Sequence, residues 1–311
     1  MSRCYVRFWG VRGSHPAPFA THMRAGGNTS CVEVRCGDHI LICDAGTGII
    51  PLGDALMGQD RVRELAILVT HYHWDHISGL PFFQPAFIPS WTLRLFGPGN
   101  NEVEVAEAIS QQMRAPYFPV ETETWLADIH YLRASNGYIE HGPIRVQPFN
   151  VHHPGTTFGY RLEVAGRSVV YVSDNELLFL DDPIDRRLVE HDLDAGEHEL
   201  LLRMKEEEKW SSLQPFLDAD VLIHDAQYTP EDYARKRGWG HSCYIDTVNC
   251  AIDAQVKHLY LYHLDPSYPD DRLDILHADA LRIIRERRSS LQCHLAREGV
   301  LIDLEKGPLQ G

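Results

Sequence analysis

The tightest constraint in this chain is the stretch Thr70-His71-Tyr72-His73-Trp74-Asp75-His76. It follows Leu65-Ala66-Ile67-Leu68-Val69, an apolar run that reads as a buried strand. It precedes Ile77-Ser78-Gly79-Leu80-Pro81, a helix start or a loop. Three histidines and an aspartate therefore crowd one strand end. Side chains alternate along an extended chain, so His71 and His73 share a side. A turn after Trp74 brings Asp75 and His76 to a neighbouring position. Imidazole nitrogens converging with a carboxylate suit a borderline-soft divalent cation, zinc first, with manganese or iron compatible with the same ligand types. The bland alternative is a histidine-rich surface turn.

The rest of the chain has to supply a scaffold for that cluster, and composition sets its scale. At 311 residues, 44% apolar and 23% charged, the chain can bury a sizeable core in the manner of an ordinary globular protein. The net charge is −15, from 29 Lys+Arg against 44 Asp+Glu. Affinity for a long polyanion comes largely from phosphate neutralisation, so this balance argues against long nucleic acid as a partner. Small anionic substrates stay open, because bound cations offset the charge locally. Met1–Arg7 lacks the apolar stretch of a signal peptide, and no segment is apolar over a membrane-spanning length. The seven cysteines, at 4, 31, 36, 43, 243, 250 and 293, form no Cys-x-x-Cys pair. They read mostly as buried thiols of a reduced cytoplasmic protein.

Taken in order, the chain opens with strands at 4–9, 31–35 and 39–43, the last two joined by a Gly37-Asp38 hairpin signal. A helix over 49–57 leads to the strand that delivers the histidines. Further strands are predicted at 92–96, 129–132, 144–151, 158–164, 168–172, 221–223, 258–262 and 300–304. Helices are predicted at 102–113, 231–237, 245–254 and 273–287. The charged segment 181–213, with Lys205-Glu206-Glu207-Glu208-Lys209, reads as a solvated helical insertion within a single domain spanning 1–311. A β-rich stretch followed by helix occurs twice, which suggests two face-to-face sheets with helices outside, an α+β architecture.

One pattern recurs: strands that end in His or Asp. Asp44, His71 and His73, His153, Asp174, Asp225 and His263 all hold that position. Residues at the same end of apolar strands can converge on one rigidly held site.

On these residues the chain resembles the metallo-β-lactamase superfamily, whose His-x-His-x-Asp-His hallmark is matched without a gap by His71–His76. Asp44 in Asp-Ala-Gly-Thr-Gly is similar to the family's first motif, a carboxylate that orients the histidine cluster, and His153, Asp174 and His263 follow in motif order. The resemblance implies a four-layer αβ/βα sandwich and two divalent metal ions. It implies that His71, His73 and His153 hold one ion, that Asp75, His76 and His263 hold the other, and that Asp174 bridges them. His152 competes with His153 for the ligand role, and the His-Pro-Gly match favours His153. Two such ions carry out hydrolysis through an activated bridging water, with Asp75 counted among the catalytic groups as well as the ligands.

Within that superfamily, His224-Asp225-Ala226-Gln227 and Gly240-His241-Ser242-Cys243 resemble segments of ribonuclease Z and its phosphodiesterase relatives, where a carboxylate orients a proton-donating histidine. Here the pair is Asp225 and His241; the alternative is that His241 caps the following helix. Phe8–Ser14 and Gly26–Ser30 also resemble that branch, with Arg12 or Asn28 contacting a phosphate, orienting the metal loop, or serving only as a structural turn. The expectation is a phosphodiesterase acting on a small phosphodiester such as a cyclic nucleotide, and a homodimer is the commonest assembly. A ribonuclease Z-like endonuclease, a β-lactamase or thioester hydrolase, and a non-catalytic metal-binding sensor are the alternatives.

Overall fold

Burial alternates strictly along Cys4–Gly10 (β1), the signature of a strand with one face on a core. The computed structural model describes residues 3–59, 62–135, 137–177, 179, 184, 187–189 and 193–308. Strand β1 pairs antiparallel with Cys31–Cys36 (β2), which pairs antiparallel with His39–Cys43 (β3). Glu64–Leu68 (β4), Thr92–Gly97 (β5) and Asp128–Arg133 (β6) then add in parallel. The second sheet consists of Ile139–His141 (β7), Ile144–Asn150 (β8), Phe158–Val164 (β9), Arg167–Val172 (β10), Val221–Asp225 (β11), His258–Tyr262 (β12) and Gln292–Leu295 (β13). Its first four strands are antiparallel and the remainder join in parallel. Leu301–Asp303 (β14) and Gly307–Pro308 (β15) return to extend the first sheet beyond β1.

Strands β3 and β4 read as unbroken apolar runs because both of their faces are covered. Leu41, Cys43, Ala66 and Leu68 belong to the core shared with Tyr160, Leu162, Val170 and Val172 of the second sheet. Their neighbours Ile40, Ile42, Leu65 and Ile67 pack instead with Ile49, Leu52 and Leu56 of helix α1 (Ile49–Met57). Helices α2 (Trp74–Ile77) and α3 (Glu102–Gln111) follow. The second sheet is covered by α6 (Tyr244–Asp253) and α7 (Asp270–Glu286), which contribute Val248, Ala251, Leu273, Ala280 and Ile284 to the core. Before them in chain order come α4 (Ala195–Leu213) and α5 (Pro230–Lys236). The result is two mixed sheets face to face with helices outside.

The charged run lies on α4, which starts at an Asp194/Glu197 capping box and buries only Leu213. Residues 181–183, 185–186 and 190–192 of the expected insertion lie outside the described residues. Strands β7 and β13 carry too few residues to register as periodic signals. The cysteine reading needs one correction. Cys4 and Cys36 form a disulfide, because the antiparallel register of β1 and β2 sets them opposite each other across 32 residues of sequence. The other five are thiols, four of them buried. Among the described residues no helix is long and apolar enough to cross a membrane.

Candidate metal centre

Strand direction explains why the His and Asp residues meet. Strand β8 is antiparallel to β9 and β9 to β10, so β8 runs with β10, and β11 and β12 are parallel to β10. The C-terminal ends of these strands therefore deliver His153, Asp174, Asp225 and His263 to one edge. From the first sheet, parallel β3 and β4 deliver Asp44 and His71. The chain stays extended to His73 and then turns into α2, which puts Asp75 and His76 in its first turn.

Five groups of side-chain donor atoms converge, each within 4.8 Å: His71, His73 and His153; Asp75, His76 and His263; His71, His76 and Asp174; His153, Asp174 and His241; and Asp225, His241 and His263. Asp174 lies between the first two. Its Oδ1 is 3.0 Å from His76 Nε2 and 3.3 Å from His263 Nε2, while its Oδ2 is 3.7 Å from His153 Nε2 and 3.8 Å from His71 Nε2. His71 Nε2, His76 Nε2 and Asp174 Oδ1 are buried, and although the last two lie 3.0 Å apart, none makes a hydrogen bond of acceptable geometry. Buried polar atoms are ordinarily satisfied, so orphaned atoms converging in this way fit divalent cations. Two ions are the natural number for two donor sets sharing a carboxylate.

The far nitrogen of each ring is already occupied, which fixes which nitrogen points inward. His71 Nδ1 meets Thr70 Oγ1 at 3.0 Å, and His76 Nδ1 meets Asp44 Oδ2 at 2.8 Å. His153 Nδ1 donates to the Gly240 carbonyl at 2.8 Å, and His263 Nδ1 to Gln227 Oε1 at 2.8 Å. His73 is the exception, presenting Nδ1 at 3.1 Å from His153 Nε2. Asp44 is itself held by the Thr70 N–H at 2.8 Å and by the Tyr171 hydroxyl at 2.8 Å. Asp75 Oδ2 accepts from the Ser14 N–H at 2.7 Å. Gly13, beside Ser14, has no room for a side chain, since a Cβ there would lie 2.5 Å from the His263 ring.

The electrostatics agree with this arrangement. Burial pushes His71 well down, so it is neutral and able to ligate. Burial opposes charge on Asp174, yet His263, His76 and His71 hold its carboxyl well below the usual range. Burial also opposes charge on His76, but Asp174, Asp75 and Asp44 overcome it and push the imidazole well up. The field that favours a proton there is the field that would favour a cation.

His241 and Asp225 sit beside the first three groups. His241 Nδ1 donates to Asp225 Oδ2 at 2.9 Å, and the ring lines the cavity over the donor sets. Burial works against charge on His241, but Asp225 lifts it to about 9. Helix α6 takes Cys243 as its N-cap residue, with no side-chain cap bond, so His241 is not the cap. His152 points elsewhere, with Nε2 3.6 Å from Glu208 and its ring stacked on Phe179.

The phosphate-contact reading of Arg12 and Asn28 needs correction. The Arg12 guanidinium is fully buried and donates to the carbonyls of Gly26, Tyr268, Asp265 and His22 and to the Asp270 carboxylate, which uses all five of its N–H groups. A cation so engaged has no donor left for substrate. Its backbone is bridged to Leu264, next to His263, so it braces the loops behind the site. Asn28 Nδ2 donates to Glu298 at 3.1 Å, and its Oδ1 accepts from Thr47 at 3.1 Å. Sequence reasoning missed Gln227, Tyr171 and Ser14 as partners of the site. The one available signal was Gln227, two residues past Asp225.

Fold and site together define a metal-dependent hydrolase with two sets of His and Asp donors at one sheet edge. The family model described as the metallo-beta-lactamase superfamily matches residues 24–209, and the chain belongs to that superfamily. A curated relative, a ribonuclease Z of Gemmatimonas aurantiaca, is 25% identical over 297 residues, spanning 87% of this chain and 88% of its own. Among solved structures, the metallo-beta-lactamase fold protein YhfI from Bacillus subtilis aligns over 97% of this chain and 99% of its own with TM-score 0.64 and 18% identity. A diphosphatase from the PhnP family covers 99% of this chain and 100% of its own with TM-score 0.61 and 18% identity. These likenesses fit the ribonuclease Z and phosphodiesterase-like branch of the superfamily.

Proposed function

We propose that this protein is a phosphodiesterase that hydrolyses a small phosphodiester, with a cyclic nucleotide the leading candidate. The observation that carries the reading is the His241–Asp225 pair, 2.9 Å apart, beside the donor sets and on the wall of the cavity. An alkoxide is a poor leaving group and needs a proton. Asp225 engages Nδ1–H of His241, so the imidazolium offers its other nitrogen to the departing oxygen.

His71, His73 and His153 would hold one divalent ion, and Asp75, His76 and His263 the other, with Asp174 between them. Zinc is the leading candidate, and manganese or iron suits the same donors. Such a pair supplies Lewis-acid polarisation of the phosphoryl oxygens and a water acidic enough to attack near neutral pH. Thr70, Asp44, Gln227 and the Gly240 carbonyl keep the ligating rings in one tautomer and orientation throughout.

The ribonuclease Z-like reading is favoured by relatives of that name. It is disfavoured by the net charge of −15 and by a cavity wall that, among the described residues, carries no lysine or arginine. Turnover of bis(p-nitrophenyl) phosphate and of a cyclic nucleotide by metal-loaded protein, abolished in His73→Ala, is the expected result. Activity on a tRNA precursor with none on cyclic nucleotides would transfer the assignment to the endonuclease. No turnover of any phosphodiester with zinc, manganese or iron supplied would end the phosphodiesterase reading.

A further inference from the structure

Trp74 is 79% exposed and stands between His73 and Asp75, both of which enter the donor sets. It lines a cavity of about 430 Å³ together with Ser14, Tyr72, His73, Asp75, Asp174 and His241. Two other tryptophans have cations on their rings: the Arg7 guanidinium lies 4.1 Å from the centre of Trp9, and the Lys236 ammonium 5.9 Å from that of Trp239; Trp210 on α4, 59% exposed, has none among the described residues but does not line this cavity. Tyr72 is anchored too, its hydroxyl donating to the Pro98 carbonyl at 2.7 Å. Among the described residues no ring or cation packs on Trp74. A bare indole beside a catalytic centre is unfavourable in water and available to a flat partner.

Among the described residues the same wall offers a phosphodiester no lysine or arginine. Once the phosphate is engaged at the donor sets, further affinity has to come from the ester substituent. A nucleobase has the π-face that stacks on an indole, whatever its hydrogen-bonding pattern. We infer that Trp74 determines specificity by stacking on the base of a nucleoside phosphodiester whose phosphate sits at the metal centre. The enzyme thereby prefers nucleotide diesters to base-free ones. This rests on the phosphodiesterase reading above.

The test compares metal-loaded wild type, Trp74→Ala and Trp74→Phe on adenosine 3′,5′-cyclic monophosphate and on glycerol 1,2-cyclic phosphate, which has no base. Loss of the indole should raise KM for the nucleotide about tenfold more than for the base-free diester, with the change concentrated in KM rather than kcat. Phenylalanine should restore most of the difference. Equal effects on the two substrates would overturn the inference. If wild type turns over neither diester, the phosphodiesterase reading fails on its own. Tryptophan fluorescence titrated with adenosine 5′-monophosphate then decides: quenching lost in Trp74→Ala supports stacking, and quenching that survives or never occurs overturns it.

Discussion

The Tyr171 hydroxyl of β10 donates to Asp44 Oδ2 at the end of β3, 2.8 Å away across the interface between the two sheets. Asp44 in turn holds His76 Nδ1 at 2.8 Å. A bond between the sheets therefore reaches a proposed metal ligand through one intermediate carboxylate. Sheet packing and site geometry are coupled at this point. Tyr171→Phe removes one donor from a buried carboxylate, a loss of about 1–3 kcal/mol. The expected outcome is a Tm lower by a few degrees and faster loss of metal to a chelator. An unchanged Tm together with unchanged chelator sensitivity would count against the coupling.

Gln227 makes a similar link on the other side of the site, since its Oε1 accepts from His263 Nδ1 at 2.8 Å. Such outer partners set ring orientation and ligand basicity. Gln227→Ala should lower the affinity of the weaker-bound ion by about 10–100-fold, read by competition with a chromogenic chelator. Gln227→Glu, which keeps an acceptor in place, should retain most of it.

The proton-donor assignment predicts a dependence on the leaving group. His241→Ala should slow hydrolysis of alkyl phosphodiesters by about 10²–10⁴-fold. It should slow p-nitrophenyl esters far less, because p-nitrophenolate departs without a proton. Parallel kcat/KM measurements on the two ester classes decide. Equal losses would leave His241 as a structural or ligating residue.

Far from the site, Asp220 links β10 to β11. It accepts from the Ser168 N–H at 2.9 Å, from Arg167 at 3.1 Å and from Lys257 at 2.8 Å. Burial opposes its charge, but Lys257, Ser168 and Arg167 hold the carboxyl down at about 2, against 3.8 unfolded. A folded value below the unfolded one contributes stability that is present above pH 3.8 and lost as pH falls through about 2. Asp220→Asn should cost about 1 kcal/mol at pH 7 after allowance for solvent screening. The gap from wild type in urea unfolding should narrow between pH 4 and pH 2. A gap independent of pH would rule out the ionic account.

The elements most legible in the sequence were those with a local cause. Strands β3 and β4 announce themselves because burial on both faces demands an unbroken apolar run. Helix α7 shows because its apolar residues repeat at helical spacing. Strand β7, Ile139–His141, and strand β13, Gln292–Leu295, were missed because runs so short carry no period. The His and Asp residues now gathered at one edge were legible for the same kind of reason: each ends an apolar strand, and few residue types serve as metal donors.

The sequence by itself determined the donor types, their attachment to strand ends and, through the His71–His76 spacing, the kind of chemistry they suit. Only the tertiary structure decided which distant groups hold them. Tyr171 reaches Asp44 across 127 residues of sequence, and His153 is fixed by a backbone carbonyl 87 residues away. Supporting hydrogen bonds can come from almost any polar group, so they leave no residue-type signature. The same is true of Arg12, for which the resemblance left a phosphate contact, a loop-orienting role and a structural turn open until the fold enclosed it among carbonyls. Ligands are chosen by the chemistry of a few atoms and can be read from residue type. Their supports are chosen by proximity, which exists only once the two sheets have packed.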